Sequence, residues 1–180
     1  PFMINQPDPL ILSISSQRDL DCFGGNIGEI RLSVQGGTMP YVFSLNGGTG
    51  QGDSTFAALP AGVYEVALQD LNGCTDSAST PLVQPDSLEL VLDTLLPVAC
   101  FGEQNGRIEI SAQGGAGNYS FAINDSIFAS VQAFDSLSAG TYTVRVLDDS
   151  ACITTQQFFV PEPDSLVLEI GSVVDILCFG

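Results

Sequence analysis

The chain repeats itself at a fixed interval, and no other feature limits its fold as tightly. Cys-Phe-Gly stands at Cys22-Phe23-Gly24, Cys100-Phe101-Gly102 and Cys178-Phe179-Gly180, with a constant step (100 − 22 = 78; 178 − 100 = 78). The other two cysteines keep that step (152 − 74 = 78). Laid on itself with this offset, the sequence needs no gap from Pro7 to Ile170. A constant long period means copies of one supersecondary unit. The reading that follows is the end of a preceding repeat at 1–7, full repeats at 8–85 and 86–163, and the start of a third at 164–180. Each full copy is long enough to bury a small core of its own. The closing Cys-Phe-Gly has the form of another opening, so the chain is expected to be one length of a longer array.

Apolar alternation of period two marks strands within the copy. Leu10, Leu12 and Ile14 recur as Leu88, Leu90 and Leu92, and again as Leu166, Leu168 and Ile170. Ile30, Leu32 and Val34 recur as Ile108, Ile110 and Ala112; Tyr41, Phe43 and Leu45 recur as Tyr119, Phe121 and Ile123. Tyr64, Val66 and Leu68 recur as Tyr142, Val144 and Val146. Phe56 and Phe134 mark a shorter strand, and Leu82 and Val160 a last one. Gln35-Gly36-Gly37, its partner Gln113-Gly114-Gly115, and Asn72-Gly73 are turn signals between them. The second copy has Ser150-Ala151 in place of Asn72-Gly73, and alanine tolerates positive φ poorly, so a different turn is expected there. Short strands with regular turns predict an all-β chain of tandem immunoglobulin-like sandwiches. Leu-x-x-Gly-x-Tyr before Tyr64 and Tyr142 has the form of a tyrosine corner, in which the phenol bonds to upstream backbone.

Two cysteines lie the same distance apart in each copy (74 − 22 = 52; 152 − 100 = 52). In an acidic, strand-rich chain this favours Cys22–Cys74 and Cys100–Cys152 disulfides, one per copy, with Cys178 left unpaired. The alternatives are a metal site, for which clustered Cys or His ligands are missing, and inert reduced thiols. Oxidised pairs imply export from the cytoplasm.

The formal charge of −17 arises from 21 acidic residues against four arginines, with no lysine and no histidine. Such a surface repels nucleic acid and anionic membranes. Without histidine there is no Ser-His-Asp or Cys-His set, and without lysine no Schiff base or Lys–Asn isopeptide crosslink, so no enzyme is expected. Asn46-Gly47-Gly48-Thr49-Gly50 is glycine-rich, but its counterpart Asn124-Asp125-Ser126-Ile127-Phe128 loses the glycines, as a plain loop would. Asp70 and Asp148 sit at turns and are read as turn formers; with Asp76 and Asp149 they are the only candidate calcium ligands, and no other metal or cofactor is implied. Phe23, Phe101, Tyr41 and Tyr119 are kept at matched positions, which favours core packing over glycan platforms.

Cys22-Phe23-Gly24-Gly25-Asn26-Ile27-Gly28, Gly36 to Tyr41, Leu59 to Tyr64, Asp70 to Cys74 and Gln84-Pro85-Asp86, in that order, resemble the SprB repeat. The resemblance covers almost the whole chain, and the second copy departs from it at Gly117-Asn118 and Ser150-Ala151. It implies a segment of a very large cell-surface protein of gliding Bacteroidetes, exported by type IX secretion, attached at the outer membrane and serving as a mobile adhesin or filament. The partners it implies are neighbouring repeats, with surface polysaccharide or other cell-surface proteins beyond them, and no membrane insertion of this segment. Two other readings remain beside a structural stalk: a multivalent surface-binding module and the accessory stalk of a secreted enzyme.

Overall fold

The computed structural model describes residues 8–172, so Cys178 and residues 1–7 lie outside it. Among the described residues there are twelve strands and no helix. The first copy supplies β1 (Ile11–Arg18), β2 (Gly28–Gln35), β3 (Val42–Leu45), β4 (Thr55–Leu59), β5 (Gly62–Gln69) and β6 (Thr75–Leu82). The second supplies β7 (Glu89–Leu96), β8 (Gly106–Gln113), β9 (Tyr119–Ile123), β10 (Ala133–Leu137), β11 (Gly140–Asp148) and β12 (Ile153–Val160). They fall into two compact units. One holds the described residues up to Glu89 with Gln113–Tyr119 and Leu147–Ile153; the other holds Leu90–Ala112, Ser120–Val146 and the described residues from Thr154 on.

In the first copy two antiparallel sheets form, ordered β1-β2-β4 and β3-β5-β6. This is the A-B-E and C-F-G arrangement of an immunoglobulin-like sandwich. Alternation decides what faces inward: along β5 the buried positions are Tyr64, Val66 and Leu68, with exposed residues between them. Ile30 and Leu32 of β2, Phe56 of β4 and Phe43 of β3 meet them in one core with Leu12 and Leu82. The second copy repeats the sheets as β7-β8-β10 and β9-β11-β12. Its buried residues include Ile108, Ile110, Phe121, Val144, Val146, Phe158 and Val160.

One irregularity explains a pairing that plain alternation would forbid. Phe56 and Leu59 are three residues apart, so a regular strand would place them on opposite faces. Ala58 adopts φ of 57°, and β4 carries an extra residue opposite β2, where Gly28 pairs Leu59 but Ile30 pairs Phe56. Such a bulge re-aims the strand and returns Leu59 toward the core. Ser136, at φ of 59°, does the same between Phe134 and Leu137 in β10.

Two expectations need correction. Phe23 and Phe101 are not core residues: they stand 57% and 60% exposed. Each lies in a turn ended by a positive-φ glycine (Gly24 at 69°, Gly102 at 78°), which carries the phenylalanine off the sheet face. The core position at this end belongs to Leu20 and Val98, 5% and 2% exposed, whose N–H groups donate to Val83 O at 3.0 Å and Pro161 O at 2.9 Å. The strand expected at Leu166, Leu168 and Ile170 is also absent: residues 161–172 form no strand, and those side chains are exposed. Its period-mate β1 is held by β2, whereas no strand among the described residues pairs with 166–170, so the backbone there forms no ladder.

Truncating the core and the turn should separate these roles. Leu20→Ala and Ile108→Ala should each cost about 2–5 kcal/mol, whereas Phe23→Ser and Phe101→Ser should stay within about 0.5 kcal/mol. Chemical denaturation of the four variants measures the difference.

Candidate functional site

Every cysteine of the described residues sits at one or other end of a sandwich, and the strand directions say which. β1 starts beside the end of β2, where Ile11 pairs Gln35, and there β5 turns into β6 through Asp70–Cys74. We call this the incoming end. At the outgoing end β6 finishes, Gly62 pairs Leu82, and the Cys22 turn is tied down where Gly24 N donates to Gln84 Oε1 at 2.8 Å. The same bond recurs from Gly102 N to Glu162 Oε2 at 2.9 Å. Gln84 entered the sequence reading only as part of the repeat motif and Glu162 not at all; the signal for their role was a long acceptor side chain kept at both positions.

The cysteine pairing differs from the within-copy expectation. Cys22 bonds Cys152, with Cα atoms 5.7 Å apart, while Cys74 and Cys100 are free and exposed. Cys22 and Cys74 stand at opposite ends of a sandwich whose last strand has eight residues. Such a strand is roughly 25 Å long, and a disulfide tolerates a Cα separation of only about 7 Å at most. The same geometry keeps Cys100 from Cys152. Cys152 belongs to the same compact unit as Cys22, and there it meets its partner.

The second cysteine of each copy is presented by a buried aspartate. Asp70 Oδ1 accepts the N–H groups of Asn72 at 2.9 Å and Cys74 at 2.8 Å, and its Oδ2 accepts that of Thr38 at 3.0 Å. Asp148 repeats all three bonds, from Ser150 at 2.9 Å, Cys152 at 2.9 Å and Ala116 at 2.9 Å. The carboxylate therefore joins the β2–β3 loop to the β5–β6 turn and fixes the direction of the cysteine. Burial alone pushes the Asp70 carboxyl up, but the N–H donors of Thr38, Cys74 and Asn72 together outweigh it and hold it below the ordinary carboxylate value.

The second-copy turn keeps the first one's shape despite its alanine, contrary to expectation. Asp148 N donates to Cys152 O and Ala151 N to Asp148 O at 3.1 Å each, matching Asp70 N to Cys74 O and Gly73 N to Asp70 O at 3.0 Å each. Ala151 accepts φ of 63° where Gly73 has 83°. The three bonds to Asp148 outweigh a left-handed penalty of about 1–2 kcal/mol.

The remaining candidate residues serve the fold. Tyr64 donates to Pro60 O at 2.8 Å and Tyr142 to Ser138 O at 3.0 Å, four residues upstream in each case. Tyr41 and Tyr119 are half-buried and donate to Gly36 O at 2.6 Å and Gly114 O at 2.7 Å. Asp76 accepts the N–H groups of Leu12 at 2.7 Å and Ser77 at 2.9 Å, and Asp149 that of Asn118 at 2.9 Å. The four aspartates considered for calcium thus face backbone donors. No group of three or more His, Cys, Asp or Glu side chains among the described residues is placed to hold a metal ion. In the loops after β3 and β9, Asn46 and Asn124 accept from Glu65 N at 2.8 Å and Thr143 N at 3.1 Å. Only the second loop carries exposed apolar groups, with Ile127 88% exposed and Phe128 under the Arg145 guanidinium at 5.4 Å.

Against known proteins, the SprB repeat family model matches residues 14–50 and 93–127, nearly one period apart. No curated protein matches the chain. Among solved structures, it resembles the C-terminal 282-residue fragment of intimin, determined in complex with the intimin-binding domain of the translocated intimin receptor. Identity is 15% and TM-score 0.39, over 87% of this chain and 64% of that one. The N-terminal eight Ig domains of Down syndrome cell adhesion molecule follow at 14% and 0.38, over 86% and 25%. Domains 4–9 of the surface layer protein SbsC give 11% and 0.30, over 91% and 32%. The chain spans less than two thirds of the length of each.

Two measurements probe the aspartate clamp. Because the folded carboxyl of Asp70 titrates low, its contribution is present above the unfolded value near ~3.9 and is lost as pH falls through the folded one. Asp70→Asn should lower Tm at pH 7 and flatten the acid limb of a Tm-against-pH curve; an unchanged limb would contradict the assignment. Ala151→Gly should raise stability by up to about 1 kcal/mol in denaturant titrations, by relieving the left-handed alanine.

Proposed function

We propose that this chain, two segments of which match the SprB repeat model, is a structural length of a large exported cell-surface adhesin. On this reading each copy is a bead in a stalk or filament that carries an adhesive region away from the cell, and the segment performs no catalysis itself. The observation that carries the reading is duplication without variation of the framework: both copies build the same two sheets and repeat the same aspartate, tyrosine and asparagine bonds, one period apart. Repeats of that kind contribute length and valence, and their stability grows with neighbours. The absence of histidine and lysine supports a non-catalytic role, and the cystine supports an oxidising, extracytoplasmic location. Outer-membrane attachment, type IX export and participation in gliding extend this reading on the family resemblance alone.

A binding role for each copy is the second reading, favoured by the exposed Phe23 and Phe101 and by Ile127 with Phe128 on the second-copy loop. Multivalency would then supply avidity toward surface polysaccharide.

Small-angle scattering on chains of two, three and four copies tests the stalk. The maximum dimension should rise by a constant increment per copy, and a globule growing as the cube root of mass would overturn the proposal. Binding of the two-copy chain on a glycan array, lost in Phe23→Ser and Phe101→Ser, would favour the second reading instead.

A further inference from the structure

We infer that the cysteines of this repeat form a ladder in which the first cysteine of each copy bonds the second cysteine of the following copy, so that Cys74 and Cys100 are half-bridges made for further copies of the same repeat. The bridge present spans 130 residues, which is one period beyond the within-copy spacing (130 − 78 = 52). It thus joins a cysteine of the first sequence copy to one of the second. The two free cysteines are the period-mates of the two bonded ones, Cys100 of Cys22 and Cys74 of Cys152.

Their local geometry is also the same. At the first cysteine, Gly25 N donates to Cys22 O at 3.2 Å and Glu103 N to Cys100 O at 3.1 Å, and each turn is pinned by the side chain of Gln84 or Glu162. At the second, Asp70 holds Cys74 as Asp148 holds Cys152. Neither free thiol needs its turn rebuilt to pair, and strand length denies both of them a partner within their own copy. Around Cys100 the surface is open: a cleft of about 520 Å³ is lined by Cys100, Phe101, Pro163, Asp164 and Leu166. Its occupant on this inference is the Asp70–Cys74 type of turn from a further copy.

Each rung forms by loss of two thiol protons and two electrons as one S–S bond is made. The electrons reduce an oxidised disulfide of a thiol–disulfide exchange partner to its dithiol. The ladder stands on the bridge and the period and holds whatever the array is used for.

Disulfide mapping decides it, with a protease that cuts at Asp and Glu, since the chain has four arginines and no lysine. In the chain as it stands, the Cys22 peptide should be linked to the Cys152 peptide, and Cys74 and Cys100 should take an alkylating label before reduction. In a chain lengthened by appending a second set of residues 103–180 after Gly180, a new link should join Cys100 to the appended copy of Cys152, doubling the bridges from one to two. In that longer chain Cys22→Ser should free Cys152 and leave the Cys100 link intact. Cys22–Cys74 or Cys100–Cys152 peptides, or an unlinked Cys100 in the lengthened chain, would overturn the inference.

Discussion

A sandwich built from eight-residue strands holds its two ends far apart, and the cysteine chemistry of this protein depends on that separation. β6 runs from the Cys74 turn to the tether of the Cys22 turn, about 25 Å away in extended backbone. A disulfide within the copy would have to close that distance, so the cysteines act across sequence copies. The cystine found, 130 residues in span, closes a far longer loop than a within-copy bridge would. In the chain-entropy account such a loop restrains the unfolded state by ~5 kcal/mol.

The incoming end is kept rigid by polar means. A turn carrying a cysteine, followed by a strand, has several orphan N–H groups, and one buried carboxylate takes three of them in each copy. Sharing one acceptor among three donors is effective because the acceptor is charged and its position is over-determined. The clamp is strong enough to impose the same backbone on Gly73 and Ala151. At the outgoing end the control is apolar: Leu20 and Val98 plug the core, and the glycines after Phe23 and Phe101 turn the aromatic rings outward. One end thus offers a rigid cysteine turn and the other a cysteine beside an exposed ring.

The surface between those ends asks little of a specific partner. All four arginines are engaged with local groups: Arg18 with Asp21, Arg31 with Glu29, Arg107 with Asp135, and Arg145 over the Phe128 ring with an N–H donated to Asn124 O. The remaining carboxylates keep the surface strongly negative, which disfavours self-association through the sheet faces.

The 78-residue repeat, the strands of the two full copies and most of the core were legible in the sequence, because a period of two in apolar residues leaves one inward face. Ile30, Phe43, Val66 and their period-mates were legible for that reason. Asp70 and Asp148 were legible as turn residues, though not as clamps on three donors. The three-dimensional fold settles which cysteines pair, since equal spacing along the chain carries no information about which end of a sandwich each residue occupies. It also decided that Phe23 and Phe101 face outward. Recurrence shows that a position matters, but whether it is buried depends on a glycine φ and on a neighbouring leucine or valine that already fills the core.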